Sequence, residues 1–171
     1  MFLCADGTVW VSGTGYGNKA IQLLNQDGSA VTGVTDIFAG EVYIQFRKAD
    51  GTVWAKGGNR DGILGTGDTI PLSHPTQISD AEGNPLQGVI DISSGQEHAF
   101  MHFIDGSVLA CGRNTAGQLG DGSNYLLNRP TSIDDQVVHA SAGSDHTVFI
   151  KTDRTVWATG LNASGRLGDG T

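Results

Sequence analysis

A short phrase that recurs along the chain limits the fold more than any other feature. The phrase is five residues long: Asp-Gly, then Thr or Ser, then Val, then a large apolar residue. Its copies occupy residues 6–10, 50–54, 105–109 and 153–157, the last with Arg154 in place of Gly. The starts of successive copies are separated by 44 to 55 residues. A period of this length is typical of an array in which each unit is one supersecondary structure. The chain is therefore predicted to be a single partial array, residues 1–171, with units at approximately 1–33, 34–88, 89–136 and 137–171.

Two further motifs accompany the phrase in most units. Before it, an apolar stretch ends in Gly, and three residues later a strand-like run opens with Tyr43, His98 or His146. After it comes Gly-x-Asn-x-x-Gly-x-Leu-Gly, at residues 57–65, 112–120 and 160–168. Short apolar runs joined by Asp-Gly are typical of β-hairpins, because Asp and Gly accept the backbone conformations of tight turns. Each unit is thus predicted to be a small antiparallel sheet.

The composition favours the same fold class. Gly provides 26 of the 171 residues, and 15 of the 18 acidic residues are Asp rather than Glu. These are turn residues and poor helix formers, so an all-helical fold is disfavoured. Small sheets repeated around an axis form a β-propeller. We predict an all-β fold made of propeller blades, each a four-stranded antiparallel sheet.

Several repeated residues are predicted to be structural. The loop Asn should hydrogen-bond its own loop, the His should hold the inner strand by a hydrogen bond, and the large apolar residue that ends the phrase should pack one sheet against the next. The Gly before the Tyr or His should lie where strands converge and no side chain has room. The structural set is Asn59, Asn114, Asn162, His98, His146, Trp10, Trp54 and Trp157, with Leu109 at the Trp position of its unit.

Together these motifs resemble the regulator of chromosome condensation repeat, a family that folds as a seven-bladed β-propeller. The resemblance covers residues 34–171 well and residues 1–33 loosely. It implies that about 3.5 repeats of a seven-bladed ring are present. The chain is expected to be part of a longer array, to complete a ring with a second copy, or to stack as an open arc against a partner. We do not expect it to be a stable monomer in isolation, because uncovered blade faces favour association.

The units also depart from the family pattern in places. Tyr43 replaces His, Leu109 replaces Trp, and the first unit has an irregular glycine loop at residues 13–18. Two long linkers, residues 22–33 and 73–88, are predicted to be surface hairpin loops. Their Asp-rich insertions resemble those of bacterial or phage members of the family.

Charge limits the partners that the chain is expected to bind. The formal net charge is −8, and no basic cluster suits a phosphate backbone, so direct nucleic-acid binding is disfavoured. The chain has no apolar run of 18 residues and no signal-peptide pattern at its start, which predicts a soluble protein with no membrane partner and leaves its localisation open. Cys4 and Cys111 form neither a disulfide framework nor a zinc site and are both expected to be buried thiols.

No catalytic, metal or cofactor site is predicted. His98 and His146 lie beside acidic residues, but they recur at one repeat position, whereas an active site needs a single asymmetric set of groups. The remaining histidines lack metal-ligand spacing. The loop that begins at Gly13 lacks the third Gly of a phosphate-binding loop.

Binding is expected where rigid blades present variable loops. In the relatives that this sequence resembles, the residues between the Gly and the His face a small GTPase; the matching positions here include Glu41, Gln96, Glu97 and Asp145, with Tyr43 beside them. Three acids at equivalent places would form a negative ring suited to a basic partner. Tyr16, Tyr43, Tyr125 and Arg129 are the candidate anchors expected to be exposed.

The function predicted from these features is a noncatalytic protein-binding or scaffold module, whose partner is another protein, further copies of the chain, or the remaining blades. The alternatives are a structural subunit of a larger assembly, such as a surface or virion protein, and a guanine-nucleotide exchange factor for a small GTPase.

Overall fold

The computed structural model describes residues 1–13, 16–80 and 82–171, and within these residues the regular structure is entirely β. The strands form four antiparallel sheets, numbered here as blades 1 to 4. Blade 1 contains β1 (Phe2–Leu3), β2 (Val9–Gly13) and β3 (Gly17–Gln22), and blade 2 contains β4 (Val34–Ala39), β5 (Tyr43–Lys48), β6 (Val53–Gly57) and β7 (Leu72–Gln77). Blade 3 contains β8 (Val89–Ser94), β9 (His98–Phe103), β10 (Val108–Gly112) and β11 (Leu127–Ser132), and blade 4 contains β12 (Val137–Ala142), β13 (His146–Lys151) and β14 (Val156–Gly160).

The predicted all-β propeller architecture is confirmed, with one difference. Blades 2 and 3 have the expected four strands, whereas blades 1 and 4 have three each among the described residues. By repeat position, β1 matches β5 and β9, so blade 1 presents the second, third and fourth strands of the pattern. Blade 4 presents the first three, which leaves β14 as an edge strand.

Connections within a blade alternate between its two ends. In blade 3, the β8–β9 turn and the β10–β11 loop lie at one end, and the β9–β10 Asp-Gly turn lies at the other, because neighbouring strands are antiparallel. The Gly-to-His turns and the Gly-x-Asn loops therefore share one end of the molecule. The Asp-Gly turns and the linkers to the next blade share the opposite end.

The hydrophobic core lies between blades rather than within them. Three buried clusters form, one at each junction: around Phe46 between blades 1 and 2, around Met101 between blades 2 and 3, and around Phe100 between blades 3 and 4. Each blade is a single sheet, so its faces can be removed from water only by packing against a neighbouring blade.

Strand β9 shows how the sequence produces this arrangement. Ala99 and Met101 belong to the cluster shared with blade 2, whereas Phe100 belongs to the cluster shared with blade 4. Successive side chains of a strand point to opposite faces, so a strand that is apolar at every position is buried on both sides. The run His98–Phe103 thus contributes side chains to two different cores.

The Asp-Gly turns share one local geometry. In the first, Asp6 Oδ1 accepts hydrogen bonds from Thr8 N (3.0 Å) and from Thr8 Oγ1 (2.7 Å). These bonds lower the pKa of Asp6, because they favour the charged carboxylate. The middle residue adopts a positive φ, which is 88° at Gly106 and 67° at Arg154. An L-residue is strained in this region and Gly is not.

Some structural predictions hold and others fail. The loop asparagines do bind their own loops: Asn114 Oδ1 accepts from Leu119 N (2.9 Å), and its Nδ2 donates to Asp121 Oδ1 (2.8 Å). The prediction for Trp157 is wrong, since its side chain is 57% exposed on the last sheet. Trp54 packs on the cluster between blades 1 and 2 as predicted, and Trp10 is half-buried.

The prediction that both cysteines are buried is correct for Cys111 and wrong for Cys4. Burial raises the pKa of the Cys111 thiol to about 12, and its Sγ lies 3.3 Å from the Ile63 carbonyl oxygen. Cys4 is exposed because it lies in the Asp-Gly turn, where Gly7 N donates to its carbonyl.

The linker predicted for residues 73–88 is not a loop throughout. Its first part belongs to β7, in which Pro75 is buried. Proline is acceptable there because an outer strand needs no donor on its free side. The insertion at Asn25–Ser29 does form a tight hairpin, closed by the bridge Leu24 to Ala30, and a bridge between Ser79 and Pro85 brings together the two ends of the second insertion.

We expect Arg154→Gly to stabilise the protein by about 1 kcal/mol, because it removes the strain of a side chain at positive φ. The matched control is Gly106→Arg, at the same turn position, where an added Cβ meets no atom within 4 Å and strain alone is introduced. That variant should lose a similar amount. Urea unfolding measures both, and equal stability of Arg154→Gly and the parent chain would contradict the explanation.

Candidate functional site

The rim is the set of three turns that join the first and second strands of blades 2, 3 and 4, at residues 40–42, 95–97 and 143–145. They meet around a shallow, open depression of about 430 Å³. Backbone approaches are close here: a Cβ built on Gly95 would lie 2.5 Å from the Gly143 carbonyl oxygen. The prediction that no side chain fits at this Gly is confirmed, and the three turns are held as one surface.

A line of hydrogen bonds crosses the rim from blade to blade. Gln96 Nε2 donates to Glu41 Oε2, and Gln96 Oε1 lies 2.8 Å from Ser144 Oγ. Ser144 Oγ also lies 2.9 Å from Asp145 Oδ2. A hydroxyl has one hydrogen to donate, so Ser144 serves Gln96 or Asp145 at a given moment. The amide of Gln96 thereby connects three blades through side chains.

The rim carboxylates are not a simple negative ring. Arg113 Nη1 lies 3.2 Å from Glu97 Oε2 and 3.6 Å from Asp145 Oδ1. Burial and the neighbouring Asp61 carboxyl raise the pKa of Glu97, and Arg113 opposes that rise. The prediction of a negative ring of three equivalent acids therefore needs correction. Glu97 and Asp145 share the guanidinium of Arg113, whereas Glu41 takes part in none of the ion pairs of the described residues.

Sequence reasoning missed Arg113. A signal was present, because Arg113 occupies the repeat position held by Gly58 in blade 2 and by Leu161 in blade 4. Variation at a loop position within a repeat array marks a candidate recognition residue. Glu97 lies next to Arg113 within blade 3, but the position of Arg113 beside Asp145 follows only from the docking of blade 4 onto blade 3.

Beneath the rim, the Tyr and His that open the second strands connect neighbouring blades. Tyr43 donates its hydroxyl hydrogen to the Gly95 carbonyl oxygen (2.9 Å) and is 3% exposed. His98 Nε2 lies 3.0 Å from Thr147 Oγ1, and Thr147 donates its own hydrogen to the Gln118 carbonyl oxygen. His98 must therefore donate through Nε2, which fixes its tautomer. The predicted hydrogen bond exists for His98, but it joins two blades instead of holding one inner strand.

A second cavity, of about 290 Å³, lies beside the rim between blades 1 and 2. It is lined by Tyr16, Val42 and Lys56 among others, and Val42 is 55% exposed. Lys56 Nζ lies 2.6 Å from the Tyr16 hydroxyl oxygen and 4.6 Å from its ring centroid. Because Glu41 also lines this pocket, the apolar side chain of Val42 and the Glu41 carboxylate lie next to each other.

The candidate anchors have different surroundings. Tyr125 is 81% exposed on the β10–β11 loop, at the same end of the blades as the rim. Tyr43 is wrong as an exposed anchor, because it is buried between blades 2 and 3. Arg129 is partly buried in β11 and donates to the Asp80 carbonyl oxygen (3.2 Å), so it holds blade 3 to the linker before it.

His146 has a less complete environment than His98. It is partly exposed, whereas His98 is fully buried and bonded to Thr147. In both rings Nδ1 is a buried atom for which the described residues provide no hydrogen-bond partner. A Cβ on Gly143 would collide with its ring, as a Cβ on Gly95 would with the ring of His98. The two histidines thus occupy equivalent places, as predicted from their repeat position.

Within residues 1–13, 16–80 and 82–171, no three His, Cys, Asp or Glu residues come together as a metal site. The described part of the chain also contains no helix with the length and apolar character needed to cross a membrane. The glycine loop that begins at Gly13 includes Thr14 and Gly15, and the insertion at Asp80 includes Ala81; these three lie outside the described residues.

Stability should fall as the pH drops from 6.5 towards 4. Burial lowers the pKa of His98 to about 4, so below 6.5 the unfolded chain binds a proton that the folded chain does not. The contribution is about 1.4 kcal/mol per pH unit. His98→Gln keeps a donor near the Nε2 position but does not titrate. In urea unfolding at pH 7.5, 6.0 and 5.0, this variant should lose less stability than the parent, and identical losses would contradict the assignment.

His102 remains in that variant and explains why some pH dependence should persist. Its pKa is lowered by burial and by the neighbouring His139. Its Nε2 donates to the Ala140 carbonyl oxygen (3.1 Å) across the junction of blades 3 and 4. Protonation of either histidine therefore opposes the packing of the same two blades.

Comparison with known families gives consistent matches over most of the chain. The model of the Regulator of chromosome condensation (RCC1) repeat matches residues 50–101 and 105–150. A second model of the same repeat matches residues 137–166. These segments carry the phrases that begin at residues 50, 105 and 153, the second strands of blades 3 and 4, and most of the Gly-x-Asn loops described above.

Among curated proteins, the chain is 32% identical over 103 residues to the probable E3 ubiquitin-protein ligase HERC3 of Homo sapiens. The aligned residues are 60% of this chain and 9% of that protein. The chain is 36% identical over 74 residues to human Protein RCC2, 43% of this chain and 14% of that protein. Among solved structures, Prp20p from Saccharomyces cerevisiae superposes with a TM-score of 0.68 at 18% identity over 100% of this chain and 45% of that one. The chain thus spans less than half the length of each of these proteins.

Proposed function

Because the chain belongs to the RCC1 repeat family, we propose that it is a noncatalytic protein-binding module whose rim docks another protein. The repeat propeller is in general an interaction fold. The observation that carries the proposal is the hydrogen-bonded line from Glu41 through Gln96 to Ser144, which fixes polar groups of three blades in one surface. Groups held in place before binding lose little conformational entropy when a partner docks.

The chemistry of the rim favours a basic partner. Glu41 is exposed and takes part in none of the ion pairs of the described residues. The other two rim acids, Glu97 and Asp145, share the single positive charge of Arg113, so negative charge is in excess at the rim. The pocket beside Glu41 offers an apolar wall at Val42, while Lys56 Nζ already lies over the ring of Tyr16. A Lys or Arg next to an apolar side chain would satisfy both features, since charge complementarity directs docking and a filled pocket contributes affinity.

Related folds give this proposal a context. One solved structure describes Prp20p with its binding properties to Gsp1p and histones, and another contains Kap60 bound to yeast RCC1 (Prp20). These statements concern those proteins, whose sequences are 18% and 21% identical to this chain. The structural-subunit and nucleotide-exchange alternatives stay predictions.

The proposal is tested by a charge reversal at the rim. We expect Glu41→Lys to remove partners that the parent chain enriches from an extract of its native host, because it breaks the bond to Gln96 and repels a basic surface. The matched control is Glu82→Lys, the same charge reversal at the opposite end of the blades. Quantitative mass spectrometry of the bound proteins provides the measurement.

A partner recovered with the parent chain and with Glu82→Lys, but lost with Glu41→Lys, supports docking at the rim. Equal recovery with all three chains, or no enrichment with the parent chain, would overturn it. The circular dichroism spectrum of each variant should match the parent, since Glu41 and Glu82 are both exposed.

A further inference from the structure

Blade 3 differs from blades 2 and 4 at two positions that flank the Asp-Gly turn. In blade 2, Lys48 Nζ lies 4.3 Å from the ring centroid of Trp54, and the equivalent Lys and Trp of blade 4 are 4.9 Å apart. The Lys lies two residues before the Asp of the turn, and the Trp lies four residues after it. At these positions blade 3 has Phe103 and Leu109. This blade therefore lacks both the ammonium group and the indole.

The missing indole also leaves a hydrogen-bond acceptor without its donor. In blade 2, Trp54 Nε1 donates to Thr52 Oγ1 (2.9 Å), which in turn donates to Asp50 Oδ1 (2.6 Å). Blade 4 repeats both bonds in its own turn, at 2.8 and 2.6 Å. In blade 3, Ser107 Oγ donates to Asp105 Oδ1 (2.7 Å), but no donor reaches Ser107 Oγ among the hydrogen bonds of the described residues. Because a hydroxyl oxygen accepts as well as donates, Ser107 can still take an indole N–H.

A cavity of about 570 Å³ lies at these positions of blade 3. We call it the turn pocket; its lining includes Asp80, Leu86, Phe103, Asp105, Ser107 and Leu109. One wall is the linker from blade 2 to blade 3, and the other is the β9–β10 turn with the ends of its strands. Both blades have four strands, so the pocket lies within the complete part of the described array. Replacing a large side chain by a smaller one leaves space of this kind.

The floor of the turn pocket is apolar and held in place. Phe103 and Leu109 are half-buried and pack on the cluster between blades 2 and 3, as Trp54 packs on the cluster between blades 1 and 2. Leu86, from the linker, is 5% exposed and belongs to the same cluster as the floor. An aromatic side chain gains contact area on such a surface and can pair with the Phe103 ring.

Two carboxylates at the mouth of the pocket favour a cation beside that aromatic group. A hydrogen bond from the side chain of Asn84 lowers the pKa of Asp80, and bonds from Ser107 lower the pKa of Asp105, so both are charged at neutral pH. Neither acid takes part in an ion pair of the described residues. Arg129 bonds to the backbone carbonyl of Asp80 and not to its carboxylate. A positive group would be attracted here and an anion repelled.

We propose that the turn pocket binds a tryptophan side chain of a partner protein, with a Lys or Arg next to that tryptophan. The indole packs against Phe103 and Leu109 and donates its N–H to Ser107 Oγ. The cation lies beside Asp80 and Asp105. The bound pair thereby restores in blade 3 the contacts that an indole and an ammonium group make within blade 2.

The openness of the pocket favours a partner protein as the source of the indole. Sites for free small molecules enclose most of the ligand surface, whereas this pocket is open to solvent on one side. A tryptophan held by the backbone of another protein can fill an open pocket and is a typical energetic centre of an interface. The turn pocket lies at the end of the blades opposite to the rim, so it does not depend on the function proposed for the rim.

The probe is a blocked peptide, Gly-Lys-Trp-Gly, titrated into the whole isotope-labelled chain and followed in two-dimensional amide NMR spectra. We expect saturable shifts at the amides of Gln87, Asp105 and Ser107, which line the pocket. Leu109→Trp should weaken binding about tenfold or more, because it places an indole of the chain itself in the pocket. The matched control is Ile70→Trp, which adds the same side chain at a position that is 65% exposed and outside the pocket, and it should bind like the parent chain.

A second peptide tests the hydrogen bond on the parent chain, so it does not depend on how any variant folds. Its tryptophan is methylated on the indole nitrogen and has no N–H to donate. It should bind the parent chain about fivefold more weakly than the first peptide, and the two peptides should bind Ser107→Ala equally. A third peptide, with Glu in place of its Lys, should bind more weakly than the first because it meets two carboxylates.

Four results would overturn the proposal. They are the absence of shifts at the pocket amides, the same shifts with a peptide in which Ala replaces Trp, equal affinity of the parent chain for the first two peptides, and unchanged binding by Leu109→Trp. Free tryptamine, which carries an indole and an ammonium group, should bind more weakly than the first peptide. Tighter binding of tryptamine would assign the pocket to a small molecule and would overturn the assignment to a partner protein.

Discussion

The packing of one blade against the next is the interaction on which the rest of this structure depends. The three apolar clusters all lie at blade junctions, so no blade has a core of its own. Burial of apolar area is the main favourable contribution to folding, and here it is available only between neighbours. The buried polar contacts follow the same rule: Tyr43 and His98 each bond across a junction, one to a carbonyl and one to a hydroxyl.

This constraint also explains where recognition can occur. The blade faces are used for packing, which leaves the turns at each end of the blades for recognition. At the rim, the close approach of Gly95 to Gly143 brings the three turns near enough for Gln96 to bridge Glu41 and Ser144.

Much of the fold could be predicted because it is encoded locally and repeatedly. The Asp-Gly phrases set the turns, the loop asparagines bind their own loops, and near-continuous apolar runs such as that in His98–Phe103 indicate sheets buried on both faces. The site was predicted less well. Glu41, Gln96 and Asp145 do come together, but Tyr43 is buried, Arg129 holds a linker, and Arg113 neutralises part of the expected acidic ring.

The amino-acid sequence by itself determined the repeat, the β-strands and turns, and the repeat family, because each depends on residues close together in the chain. The tertiary structure alone decided which residues are exposed. Trp54 and Trp157 stand in nearly identical phrases, and Trp54 packs on a core while Trp157 is 57% exposed. Local sequence cannot distinguish them, because burial depends on whether another blade or an outer strand lies against that sheet, and this is a property of the assembled array.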